Sequence, residues 1–240
     1  MRLTSLFLLA LLGCSSPSSY PLTQASPGEE AFVALRQRVA ELEAETALAQ
    51  PASEEVEGAV VQSYVRKNGC VVERVTKLLP VSFERFLVAV PPRRWGPLLA
   101  DHLGGEVREL PGKPPRQFER MVMDTTGTDL DMTKVEELHY RRDAAGKLLE
   151  VRILWDVVHS DNGSVREDVG SLCFAREGAK TQVTFHSAHA LATFPFDSWW
   201  IPNALSRSIL AGQLVTFFRR MIEGYERRAR SLSAGEPKAR

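Results

Sequence analysis

Apolar residues recur at helical spacing near the C-terminus, where Leu210, Leu214, Phe217, Phe218, Met221, Ile222 and Tyr225 fall on one face of a helix running from Asn203 to about Arg230. Arg219, Arg220, Arg227 and Arg228 take much of the other side, and Pro202 followed by Asn203 supplies a start signal. Upstream the period falls to two. Candidate strands cover 106–110, 117–124, 132–142, 147–159, 164–177 and 180–193, divided by turns such as Ala145-Gly146, Asp161-Asn162-Gly163 and Glu177-Gly178. They follow one another without helical crossovers, which predicts an antiparallel meander. Leu149, Val151, Ile153, Trp155 and Val157 share one strand face while Glu150, Arg152 and Asp156 share the other; Val183, Phe185, Ser187, His189 and Leu191 form a second oily face. A bent sheet whose oily side meets an amphipathic helix encloses an apolar pocket with a few polar groups, the usual form of a small-molecule site.

The N-terminal half is patterned differently. Phe32, Leu35, Val39, Leu42, Thr46 and Ala49 step by three and four over 28–49. That spacing fits either an amphipathic helix lying on its own domain or a short coiled coil docking a protein partner or a second copy. After the break at Pro51, Ser53-Glu54-Glu55 resembles a cap with an acidic first turn, and Val56, Val60 and Tyr64 continue at i+4 steps, so 53–69 is expected to be a second short helix. The competing reading is a strand with an Asn68-Gly69 hairpin, because Val and Tyr are also good strand residues. A strand over 71–79 follows, then a helix through Phe83, Phe86, Leu87 and Val90 stopped by Pro91-Pro92, and a further helical piece over 95–103 that ends at Gly104-Gly105.

Formal charge is zero over 240 residues, which argues against a dedicated nucleic-acid binder. Arg2 and the apolar run 3–12 form a signal-like start too short to span a bilayer. It closes on Leu11-Leu12-Gly13-Cys14, which resembles the lipobox of bacterial lipoproteins. That resemblance implies a signal peptide over 1–13, an acylated Cys14 as the membrane anchor, and a Ser/Pro-rich flexible tether over 14–27. Ser15 stands where an Asp would mark inner-membrane retention, so the expected location is the cell envelope, facing the periplasm from the outer membrane. The bland alternative is an ordinary cleaved signal. Cys70 and Cys173 are expected to be two separate buried thiols rather than a disulfide.

Candidate chemistry is sparse. Neither cysteine has a metal-ligand spacing, no Gly-x-Ser-x-Gly occurs, Asp124, Asp129 and Asp131 lack the order of a calcium loop, and no Gly-rich phosphate loop is present. No metal or cofactor is therefore expected. In His186-Ser187-Ala188-His189 the two imidazoles sit three apart, on opposite faces of a strand. His189 shares the oily face with Phe185, where it serves as a ligand partner or base, or as a core histidine satisfied by Ser187. Trp199 and Trp200 guard a pocket mouth, dip into a membrane interface, or simply staple a loop to the core.

The order of elements, with 71–79 running into Pro80-Val81-Ser82-Phe83-Glu84-Arg85 and the stretch from Phe194 to Pro202 leading into the last helix, is similar to the helix-grip fold of the START-like or SRPBCC superfamily. The resemblance covers roughly 70–232, with a helical segment over 28–69 ahead of it and a disordered tail over 233–240. It implies an α+β domain in which a curved antiparallel sheet of about seven strands grips the C-terminal helix. It also implies a cavity for a hydrophobic small molecule or lipid, for which the candidate lining is Val151, Ile153, Trp155, Phe185, Ser187, His189, Leu214, Phe217, Phe218 and Met221. Only some members of the superfamily catalyse anything. A carrier is the leading expectation; the alternatives are a cyclase-like enzyme using His189 in the same cavity, and a structural or assembly lipoprotein.

Overall fold

Period-two alternation dominates the fold more completely than the sequence pattern predicts. The computed structural model describes residues 20–98, 102–124, 129–192 and 203–234, without the side chains of Pro97 and of 203–211, 213, 214, 217, 218 and 232–234. Within these residues nine strands make one sheet: β1 Ser53–Val56, β2 Ala59–Val65, β3 Val71–Leu79, β4 His102–Leu110, β5 Arg116–Met123, β6 Leu130–Arg142, β7 Leu148–His159, β8 Val165–Glu177 and β9 Lys180–Leu191. Their order is β1-β2-β3-β9-β8-β7-β6-β5-β4, with every neighbouring pair antiparallel. Three α-helices are found among the described residues: α1 Glu29–Ala49, α2 Phe83–Ala89 and α3 Asn203–Ala234. No helix among the described residues is long and apolar enough to cross a membrane.

Two strands more than expected come from 53–69, where the helical reading fails. Val56, Val60 and Tyr64 fit a helix by spacing, but Ala59 and Val61 are buried while Val60 between them is exposed, the alternation of a strand. Glu57 and Gly58, at φ 49° and 74°, make the tight turn between β1 and β2, and Gly69 at φ 90° helps turn β2 into β3. The helical piece expected over 95–103 is also corrected. It is two 3₁₀ turns, Pro92–Arg94 and Gly96–Leu98, and β4 has begun by His102. Gly104-Gly105 is no helix stop but part of a bulge, and a Cβ on Gly105 would sit 2.0 Å from the Arg120 carbonyl oxygen of β5.

Both faces of this sheet are covered. On the outer face Phe32, Leu35, Val39, Leu42 and Thr46 of α1 are buried, and the apolar four pack with Val72, Phe118, Val135, Leu154, Val169 and Ala188. The seam that resembled a coiled coil is therefore taken up by the chain's own sheet and does not face a partner; Ala49, the last position in that pattern, is exposed. Salt bridges fasten its rim, with Arg36 Nη1 2.7 Å from Glu137 Oε2, Arg38 Nη1 2.5 Å from Asp156 Oδ1 and Arg66 Nη2 2.7 Å from Glu45 Oε2. On the inner face Met221, Ile222, Tyr225 and Ala229 of α3 join Phe83, Phe86 and the sheet in the larger core. Phe86 meets Phe174 edge-on at 4.9 Å between centroids, Tyr225 Oη donates to the Trp95 carbonyl (3.1 Å), and Arg228 Nε donates to the Ala89 carbonyl (2.7 Å). Cys70 and Cys173 are free, and burial pushes both thiols up to about 12.

Because Leu35 is fully buried between α1 and the sheet, Leu35→Ala is expected to lower unfolding stability by about 2–5 kcal/mol in urea titrations without changing the solution mass. A loss of oligomer with stability intact would restore the coiled-coil reading.

Candidate functional site

The register of the strands places polar groups in a line across the inner face. Directly opposite one another, neighbour by neighbour, lie Glu73, Ser187, Gly170, Trp155, Glu136 and Gln117, from β3 to β5. Six strands at ~4.8 Å spacing make this row roughly 24 Å long. His189 and Asp168, cross-strand partners, stand beside one end of it, and Lys134 and Glu119, also partners, beside the other. On the far side of the row the face is apolar through Val75, Phe185, Leu172, Ile153 and Leu138.

Hydrogen bonds and ring contacts join these groups. Ser187 Oγ is hydrogen-bonded to His189 Nε2, and His189 Nδ1 lies 3.3 Å from Asp168 Oδ1, which also accepts from Trp155 Nε1 at 2.7 Å. The Trp155 ring fits over Gly170, where a Cβ would come within 2.6 Å of Cζ2, so only glycine leaves room for the indole. Trp95 sits 5.6 Å from Trp155 and donates from Nε1 to Glu136 Oε1 (3.1 Å), whose other oxygen accepts from Gln117 Nε2. Lys134 Nζ is 2.6 Å from Glu136 Oε1, 3.0 Å from Glu119 Oε2 and 4.1 Å from the centre of the Trp95 ring. Those carboxylates are at ion-pair distance but off the angles of good hydrogen bonds.

Glu73 is the exception. It is buried on all sides, neither carboxyl oxygen has a hydrogen-bond partner among the described residues, and His189 Nε2 is 3.7 Å from Oε1. Burial raises its pKa to about 8, against the pull of His189 and with the push of Asp168, so at neutral pH the carboxyl keeps its proton. His189 and Asp168 behave as an ion pair: burial opposes charge on each, but their mutual attraction prevails, raising the imidazole and lowering the carboxyl. Glu119 is pushed up to about 7 by burial and by Glu136, with Lys134 pulling the other way. Lys134, despite burial, is held protonated by the two carboxylates.

The structure brings together seven of the sequence-predicted residues. Val151, Ile153, Trp155, Phe185, Ser187, His189 and Met221 are all buried, and all belong to this inner layer. The side chains of Leu214, Phe217 and Phe218 lie outside the described residues, as do Cys14, Trp199 and Trp200. His186 faces the other way, hydrogen-bonded to Thr46 Oγ1 of α1 at 2.9 Å, and burial with the nearby charges of Arg74 and Arg152 presses its pKa down to about 4. Among the described residues no cluster of His, Cys, Asp or Glu is placed to hold a metal ion. Sequence reading missed Glu73, Trp95, Gln117, Glu119, Lys134, Glu136 and Asp168. For two of them parity was the available signal: Lys134 and Glu136 alternate with Met132 and Leu138. A hollow of about 710 Å³ is present on the outer face, past the end of α1, lined by Thr46, Arg74, Arg152, Thr184 and His186 among others and by none of the predicted residues.

Among solved structures the chain is similar to human StAR-related lipid transfer protein 5, with a TM-score of 0.56 at 11% identity over 84% of this chain and 99% of that one. It is similar also to a STAR-related lipid transfer protein fragment from Xanthomonas axonopodis, with a TM-score of 0.52 at 13% identity over 75% and 98% of the two chains. The Zhui aromatase/cyclase of Streptomyces sp. R1128 gives a TM-score of 0.52 at 12% identity over 70% of this chain and 99% of that one. No protein-family model matches the chain, and no curated protein matches it. At such identities the likeness establishes the fold: an α+β arrangement of helix-grip type, in which an antiparallel sheet holds a C-terminal helix.

Glu73 carries a testable signature. Its carboxyl has a folded pKa of about 8 against an ordinary 4.5, so the folded state holds the extra proton and stability falls as pH rises between those values. Glu73→Gln removes this slope, and its advantage over the parent is expected to grow by about 3 kcal/mol from pH 5 to pH 8 in urea unfolding. Parallel stability curves would mean that Glu73 is ionised in the fold.

Proposed function

We propose that the chain binds a hydrophobic small molecule or lipid between the inner face of its sheet and α3, as a carrier or receptor without covalent chemistry. The observation that supports this reading most is Glu73: a carboxyl with no hydrogen-bond partner, set at the edge of an apolar layer, is costly to keep for stability alone. Apolar walls with a few convergent polar groups and displaced pKa values are the usual composition of a ligand site. The lipid-transfer proteins among the structural neighbours favour the same reading by analogy of fold. The inner residues are closed to solvent in this state, so a guest enters by displacing part of what covers them.

In the same proposal Cys14 is acylated and tethers the domain to the periplasmic side of the outer membrane through the few residues ahead of Leu22; the tether expected over 14–27 is shorter than that, because Leu22 is buried in the outer core and its backbone N–H donates to Glu106 Oε2 (2.9 Å). The tether would let the inner layer meet lipids or envelope metabolites close to the bilayer. A second reading, a cyclase-like enzyme, is favoured by one feature, the chain from Ser187 through His189 to Asp168. With the imidazole protonated beside Asp168, His189 would serve as a proton donor rather than a base.

Organic extraction of the purified leaderless chain, followed by mass spectrometry and titration with a fluorescent acyl-chain probe, tests the binding proposal. A co-purifying hydrophobic molecule or saturable probe binding is expected; an empty extract together with no saturable binding contradicts it. The anchor has its own check, because the mature N-terminal peptide should carry acyl chains and Cys14→Ser should release the protein from membranes. An unmodified Cys14 in the mature chain would remove the anchor from the account.

A further inference from the structure

The charges on the inner face restrict what kind of guest can lie there. Along the polar row and the line beside it four carboxyls, Glu73 and Asp168 towards β3 and Glu119 and Glu136 towards β5, face two bases, His189 and Lys134. Both bases are already engaged: Lys134 lies between Glu119 and Glu136, and His189 between Asp168 and Ser187. The other ionisable groups nearby do not change this. His102 on β4 has its pKa lowered by burial and by Lys134, and Tyr225 on α3 has its own raised by burial and by Glu136 and Glu119, so both are neutral. A carboxylate or phosphate brought into the layer would meet carboxylates and, among the described residues, no uncommitted cation, the arrangement that makes a buried anion most costly.

Glu73 supplies the opposite preference. Held neutral, its carboxyl offers one O–H donor and one carbonyl acceptor, and no described group takes either. A hydroxyl on a guest can accept from the first and donate to the second. Ser187 stands directly opposite Glu73 across β9, and the apolar run from Val75 through Phe185 and Leu172 leads away from it, so the surface has a hydrogen-bonding end and a greasy body.

We infer that the guest is an uncharged amphiphile carrying a hydroxyl or carbonyl oxygen, that Glu73 is the hydrogen-bond partner of that oxygen, and that anionic head groups are refused. This rests on the binding reading proposed above and narrows it to a ligand class. The test is competition at pH 7 between the leaderless chain's fluorescent acyl-chain probe and three single-chain amphiphiles of equal tail length: an alcohol, a carboxylate and an alkylammonium. The alcohol is expected to displace the probe at least about tenfold better than the carboxylate, the scale of one well-made hydrogen bond. Glu73→Leu, which removes a buried polar group and should fold at least as well, is expected to bring the alcohol-to-carboxylate displacement ratio, read against the variant's own probe affinity, close to one, while Glu73→Gln retains much of the preference. Equal displacement by alcohol and carboxylate, strongest displacement by the ammonium, or an undiminished preference in Glu73→Leu would each overturn the inference while leaving the binding proposal standing. Failure of the parent protein to bind the probe at all would strike the binding proposal itself.

Discussion

Burying both faces of one antiparallel sheet is the constraint on which the rest of this structure depends. Such sheets commonly keep one face wet, and their polar residues then need no partners. Here α1 takes the outer face and α2 with α3 the inner, so Val71, Val72, Glu73 and Val75 of β3 are all buried irrespective of parity. Every polar side chain between the layers must then find a partner or bear the desolvation of an unmet group. On the outer face the rim of α1 solves this with arginines, which reach Glu137, Asp156 and Glu167 while their stems stay half exposed. On the inner face the solution is a continuous line of hydrogen-bonded, ion-paired and ring-packed groups from His189 through Trp155 and Trp95 to Lys134, and among the described residues along it only the Glu73 carboxyl lacks both a hydrogen bond and a close ion pair.

That single failure separates a packed core from a candidate binding surface. A protein selected for stability alone would gain by replacing Glu73 with an apolar residue, because an unpaired buried carboxyl opposes folding at neutral pH. Strain or unmet polar groups held against this pressure are characteristic of functional positions. The surrounding geometry is consistent with retention for use: Ser187 opposite, Gly170 reduced to leave room for Trp155, and an apolar stretch leading away. The outer-face hollow has a different character, with Arg74, Arg152 and His186 among hydroxyls on a face that α1 stops short of covering.

Much of the architecture could be read from the pattern of residues, and the exceptions have physical causes. The meander from β5 to β9 and the course of α3 follow from clean periodicities, and the three-residue spacing of His186 and His189 put them on opposite faces as parity requires. The segment 53–69 misled because Val56, Val60 and Tyr64 satisfy the helical and the extended periods together, and only burial of Val61 with exposure of Val60 decides between them. The seam of α1 was visible, but nothing local says whether it meets a second helix or the back of a sheet. Glu73 was hidden by the double burial itself, since valines at both parities conceal which face a strand turns inward, and Asp168 lies next to a register shift between Val165 and Glu167 that breaks the alternation. The likeness to START-like proteins reached the antiparallel sheet and its C-terminal helix in outline, with about seven strands expected where nine are found, and stopped there; the polar row belongs to this chain's own residues.

Isotope-edited infrared difference spectroscopy of the Glu73 carboxyl, assigned against Glu73→Gln, reaches the central claim most directly. The account predicts a protonated carboxyl at pH 7 whose carbonyl band lies in the weakly hydrogen-bonded range and moves lower when an uncharged hydroxylated amphiphile is added. An ionised carboxylate at that pH, or a carbonyl band that no guest disturbs, would contradict it.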